Sequence, residues 1–279
     1  APVEKDKVEL PYPMPSMDKI KPDTKALGEW MAKYPGPYVL SAKLDGISAL
    51  FTTEGDKPQL YTRGNGKVGQ NISHMIPYLK LPTSTKDITI RGELIMSKKT
   101  FEEKYSSIAA NPRNLVAGIV NSKKSATPEK YRDLDFVAYE VLSPELKPSE
   151  QMNFLKDTLK VIPVLNEEKP SLSNEMLSEI LINWRESYKY EIDGVIVADD
   201  KIYTRTDKNP KHSFAFKMVL SDQVVEAKVL NVLWSPSKHG LLKPRIQIEP
   251  VGIGGATIEY ATAFNGAFVE NNKIGIGSI

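Results

Sequence analysis

"YVLSAKLDGISALF" runs from Tyr38 to Phe51. Read as a strand, Tyr38 to Leu44 points its side chains alternately to two faces. Leu40, Ala42 and Leu44 then share one face, and Ser41, Lys43 and Asp45 share the other. A lysine is an odd choice in a mostly apolar strand, because a charge inside a sheet is costly unless a partner or a ligand meets it. Lys43 is therefore a surface charge, a salt-bridge partner or a nucleophile.

Similar intrusions recur along the chain. Glu93 lies in "ITIRGELIM", Lys217 in "FAFKMV", Asp193-Gly194 opens "IDGVIV", and Arg63 ends "LYTRGNG". Taken singly, each reads best as a solvated strand charge. Taken together, they predict one pocket that receives a polyanionic ligand. A lysine attacks only as the neutral amine, about one molecule in 10³ at pH 7 for an ordinary pKa. Burial and a neighbouring cation, for which Lys217 is the candidate, both favour that form. Its electrophile is a carbonyl or a phosphorus centre. An arginine and a second lysine favour phosphorus, whose oxygens gather charge in the reaction. Glu93 does not suit phosphate and would suit a ribose hydroxyl.

The surrounding pattern gives the fold class. Strand-like runs cover 38–53, 59–63, 87–96, 134–142, 192–198 and 213–219, with helices expected near 97–106 and over 174–188. Asp23 is expected to cap a short helix carrying Leu27, Trp30, Met31 and Tyr34. Strands with inserted helices but no regular βαβ alternation predict an α+β fold with antiparallel sheets. Residues 1–22, with five prolines, read as an extended N-terminal arm, and 23–220 as the main domain. From 221 to 279, short strands broken by Gly and Pro, with no helix signal, predict a β-barrel that is short of strands. The chain ends in an apolar run, so a fragment of a longer protein is expected.

Composition bounds the function. The 279 residues are 41% hydrophobic and 26% charged, which is globular rather than disordered. No run of about 18 apolar residues predicts a membrane span, and no signal peptide is evident, so an intracellular site is expected. Absence of Cys excludes thiolate metal sites and cysteine nucleophiles. Three scattered histidines show no metal-ligand spacing, so no protein metal site is expected. A net charge of +2 means that any polyanion must meet a local basic face.

The motifs "AKLDG", "TRGNG", "RGEL", "ANPRN", "FVAYEV", "EIDGVIV" and "FAFKM" stand in the order and rough spacing of the NAD-dependent DNA ligases. "LPYPMPSMDKI" resembles the segment leading into their adenylation domain, and "LKPRIQIEPVGIGGATIEYATAFN" resembles the start of their oligonucleotide-binding (OB) barrel. The resemblance covers nearly the whole chain. It implies an ATP-grasp-like nucleotidyltransferase fold followed by an incomplete OB barrel. It implies that Lys43 attacks the adenylyl phosphorus of NAD⁺, with Mg²⁺, to form lysyl-AMP. AMP would then pass to the 5′-phosphate of nicked double-stranded DNA, and the 3′-hydroxyl would close the nick. By match, Arg63, Asp45 and Ser41 belong to the nucleotide pocket, Glu93 holds the ribose, Tyr139 stacks on adenine, and Lys217 contacts the α-phosphate. Asp193 and Gly194 lie in the strand closing the pocket. Arg113 and Asn114, with Lys123 and Lys124, would face DNA. A monomer is expected.

The chain departs from that pattern. Ser41 stands where the family usually has Glu, and Ala198 where it usually has Lys. The usual arginine after "ANPRN" is missing, and "SPSKHG" replaces "GRTG". The pattern resembles a divergent, viral branch. No nicotinamide-binding domain precedes Tyr12, so poor reaction with NAD⁺ and poor nick closure are expected. Two other readings stay open: an ATP-dependent polynucleotide ligase or RNA-capping enzyme, and a non-catalytic nucleic-acid-binding module.

Overall fold

Tyr38–Leu44 is buried at every residue except Lys43, which is half-buried, because this strand sits inside a sheet and lines a cleft. The computed structural model describes residues 7–122, 126–219, 224–253 and 255–279. The chain divides into two compact units, Ala1–Met218 and Val219–Ile279.

The larger unit is α+β and holds two five-stranded sheets. In the first, Tyr38–Leu44 lies between Asn166–Lys169 and Ile192–Asp199, and Ser213–Phe216 and Lys19–Ile20 extend it outward. The second sheet runs Gln59–Thr62, Ile47–Thr52, Thr89–Ile95, Asp135–Ser143, Ile162–Pro163. Asp45 and Gly46 thus carry the chain from one sheet to the other. A Cβ on Gly46 would sit 2.4 Å from the Leu94 carbonyl oxygen, so the crossing admits only glycine. Tyr38, Leu40, Phe51, Phe136, Val195 and Phe216 form part of one apolar core across both sheets. The helix Asn174–Ser187 adds Leu177, Leu181 and Trp184 to it, at helical spacing.

Several expectations are corrected. Asp23 does not cap the first helix, which spans Ala26–Lys33; Lys25 holds the cap position without a side-chain bond, and Asp23 lies in the left-handed region at φ 58°. Lys217 falls just beyond its strand, which ends at Phe216. The larger unit also holds helices beyond those expected. "ANPRN" opens the helix Pro112–Val120, with the Asn111 side chain accepting from the Asn114 N–H and Pro112 in the first turn. Pro128–Arg132 and Pro148–Asn153 are also helical. The N-terminal arm is built into the fold, since Lys7–Glu9 pairs with Val68–Gln70 and Lys19–Ile20 with Ala215–Phe216.

The smaller unit is a three-stranded antiparallel sheet, Val229–Pro236, Leu242–Ile253, Ala256–Thr262, with an unexpected helix at Gly266–Asn271, whose Asn265 cap accepts from the Phe268 N–H. No closed barrel occurs among its described residues. Val229, Ile246 and Ala263 form its buried apolar cluster.

Candidate active site

A cleft of about 1230 Å³ is lined from both sheets of the larger unit. The Tyr38–Leu44 strand contributes Val39, Ser41, Ala42, Lys43 and Leu44, so Ser41 and Lys43 reach the cleft as expected, together with residues of the other face near the strand's end. Across the register, Gly194 stands opposite Lys43. A Cβ there would lie 2.8 Å from the Phe216 carbonyl oxygen and 3.5 Å from Lys43 Cδ, so glycine leaves the lysine its channel.

The ladder slips between Ile192 and Gly194, making Asp193 the extra residue of a β-bulge. The bulge delivers the Asp193 carboxylate to two lysines. Lys43 Nζ donates to Oδ1 at 3.0 Å, and Lys217 Nζ donates to Oδ2 at 3.3 Å. Lys217 therefore reaches Lys43 through a shared carboxylate, which corrects the expectation of a bare cation beside the lysine.

Opposite them, Arg91 and Glu93 alternate onto the cleft face of Thr89–Ile95. Burial pushes the Glu93 carboxyl up to about 8, against the opposing pull of Arg91, the Gly46 N–H and Lys43. Glu93 Oε2 accepts from that N–H at 3.4 Å. A second bulge falls at Tyr139, where Arg91 pairs with Glu140 and Gly92 with Ala138. Tyr139 and Glu140 both line the cleft as a result, and Val141 and Leu142 continue its wall. Burial, with Glu93 nearby, pushes the Tyr139 phenol up to about 12. Its hydroxyl bonds to Ser48 Oγ at 2.9 Å, and Arg91 Nε donates to the same oxygen at 3.1 Å.

Of the residues singled out from sequence, Ser41, Lys43, Arg63, Glu93, Tyr139 and Lys217 line this cleft, with Asp193 bridging the lysines. Asp45 turns to Arg113, whose Nε lies 3.3 Å from Oδ1, and burial together with Asp193 raises the Asp45 pKa. Arg113 also lines the cleft and is 60% exposed, so its position is the cleft mouth. Asn114 is exposed on the same helix. Lys123 and Lys124 lie outside the described residues. Ala198 lines the cleft near Ser41, where two small side chains leave space. Arg205 and Glu140 were not read as site residues, although both line it and pair at 2.7 Å. Period-2 alternation from Tyr139 placed Glu140 on the opposite face, and only the bulge reverses that.

The donor set fits a nucleotide: cations for phosphate, a carboxyl for hydroxyls, and a tyrosine ring with Ile47 and Ile196 for a base. Among the described residues no group of three or more His, Asp or Glu could hold a metal ion. The described residues therefore do not fit Mg²⁺ as an all-protein site. No helix among the described residues is long and apolar enough to cross a membrane.

The comparisons with known proteins point the same way. The profile of the NAD-dependent DNA ligase adenylation domain matches residues 7–220. A DNA ligase of Acanthamoeba polyphaga mimivirus is 44% identical over 286 residues, covering 100% of this chain and 44% of that protein. A DNA ligase of Thermoanaerobacter sp. (strain X514) is 31% identical over 264 residues, 86% of this chain and 39% of that protein. The chain thus spans less than half the length of these relatives. A solved structure from work on DNA binding by Lig E DNA ligases shares the fold, with a TM-score of 0.55 at 18% identity over 95% of this chain and 91% of that one. By its profile match and its relatives, the chain belongs to the NAD-dependent DNA ligase family.

Proposed function

We propose that residues 23–220 form an adenylating domain, with 221–279 opening an oligonucleotide-binding domain, and that Lys43 is the nucleophile. The observation that carries this reading is the Lys43–Asp193–Lys217 array at 3.0 and 3.3 Å in a cleft that also holds Glu93, Arg63 and Tyr139. Asp193 is the acceptor within reach of the Lys43 proton. Once that proton leaves, the Nζ lone pair forms an N–P bond with the adenylyl phosphorus of NAD⁺. The P–O bond to nicotinamide mononucleotide breaks, and the mononucleotide departs with the electron pair. Lys217 is placed to neutralise charge on the phosphoryl oxygens. Glu93, largely protonated near neutral pH, is suited to exchange hydrogen bonds with ribose hydroxyls. Tyr139 remains neutral and offers a ring face to adenine. The AMP would next move to the 5′-phosphate at a DNA nick, and the 3′-hydroxyl would expel it.

The test is incubation with labelled NAD⁺ or ATP, followed by denaturing electrophoresis and intact-mass measurement. An acid-labile, alkali-stable AMP adduct is expected, lost completely in Lys43→Ala. Labelling that persists in Lys43→Ala overturns the nucleophile assignment, and labelling from ATP alone overturns the choice of donor.

A further inference from the structure

Three consecutive carbonyl oxygens in the N-terminal arm each accept a hydrogen bond from a different arginine. Arg205 Nη1 donates to Pro13, Arg63 Nε to Met14 at 2.8 Å, and Arg91 Nη1 to Pro15 at 3.0 Å. The three arginines come from separate parts of the chain, yet all line the cleft, as do Pro15, Ser16 and Met17. The outer side of the segment is anchored too. The Met14 side chain is fully buried with Leu10 and Leu50, and its N–H donates to the Gly66 carbonyl at 2.8 Å.

The acceptors matter as much as the donors. No carboxylate oxygen lies within salt-bridge distance of Arg63 or Arg91 among the described residues; Glu140 and Glu93 act on Arg91 only at longer range. A carbonyl fixes the direction of a guanidinium and leaves its full charge in place. Arg205 is different. Its Nε donates to Glu140 at 2.7 Å while Nη1 holds Pro13, so one planar fork ties the arm to the Asp135–Ser143 strand that carries Tyr139.

We propose that Pro13–Pro15 is a strap that aims Arg63 and Arg91 at an anionic, phosphate-bearing ligand, and that Arg205 is the positioning residue that fastens it. This rests on the reading of the cleft as a nucleotide site. Arg205 acts through the strap rather than on reacting atoms. A lysine at 205 would keep the charge, but its single ammonium cannot serve two acceptors in the fork geometry.

The test uses the full chain and two readouts that need no adenylation. Hydrogen exchange at residues 10–17 reports the strap. Titration with inorganic pyrophosphate, followed through the Nε–H signals of Arg63 and Arg91, reports their presentation to an anion. In Arg205→Ala, exchange at Met14 should quicken and pyrophosphate affinity should fall, each on the order of tenfold. Arg205→Lys should show the same losses despite its charge, and it serves alone if the alanine variant does not fold. Wild-type exchange in both variants, or wild-type pyrophosphate affinity in Arg205→Lys, overturns the strap. Failure of Lys43 to take a label would sink the proposed function and leave these readouts intact.

Discussion

The two units of the chain treat charged strand residues in opposite ways. In the larger one the sheets share an extensive core, and Lys43, Arg91 and Glu93 on inner strands face a cleft, while Lys7, Glu9 and Glu168 on edge strands are exposed. In the smaller one the buried cluster is Val229, Ile246 and Ala263, and Trp234, Leu241, Leu242, Tyr260 and Phe264 stay exposed beside Lys243 and Arg245. A strand charge therefore carries information only where the sheet around it is covered. In the larger unit Lys43, Glu93 and Arg91 cost free energy that a partner or ligand must offset. In the smaller unit the same residue types meet water at little cost.

Truncating one core side chain in each unit sharpens this contrast most. Phe136 is 1% exposed and Ile246 8%. Phe136→Ala should cost about 3–5 kcal/mol, and Ile246→Ala about 2 kcal/mol, the low end for a site that can collapse. Chemical denaturation of both variants measures this, and equal losses would break the comparison.

A smaller effect is expected at Glu93, and it depends on pH. The folded carboxyl sits at about 8, above the ordinary value near 4.5, so the folded chain keeps a proton that the unfolded chain releases. That contribution is complete below about pH 4.5 and is lost as pH rises through about 8. Glu93→Gln, which has no proton to lose, should match wild type at pH 4.5 and exceed it on the order of 1–3 kcal/mol at pH 8. Melting curves across that range decide the point, since parallel curves would mean that Glu93 is ionised in the fold.

The smallest effect concerns the exposed cations. Lys243 and Arg245 alternate onto one face of Leu242–Ile253, and Arg245 stacks over Tyr260 at 4.1 Å. If that face meets phosphates, Lys243→Ala should reduce the log–log salt slope of DNA binding by about 0.9 without altering sequence preference. Anisotropy titrations at several salt concentrations would show an unchanged slope if the face is idle.

How much was legible follows from the same contrast. Lys43, Glu93 and Arg63 stood out because each interrupts or ends an apolar strand, and the helix Asn174–Ser187 was visible from its period. Glu140 was invisible because a bulge, not the alternation, turns it inward. Arg205 looked like one more cation in a basic loop, and its partners lie 65 and 192 residues away in sequence. The helix at Pro112 carries a signal of its own, an Asn-Pro start with Leu115, Val116, Ile119 and Val120 on one face.

The bulges at Tyr139 and Asp193 also set which changes of length the larger unit can survive. Losing one residue from a regular strand moves every later side chain to the wrong face. At a bulge the same loss restores regular pairing. Tyr139 and Asp193 are therefore positions that their strands could lose while the ladder stays in register. Single-residue deletion at either position should leave a folded sheet without its aromatic ring or its bridging carboxylate, with the rest of the strand in its register. In these strands the residues the fold can best spare are the ones the chemistry needs.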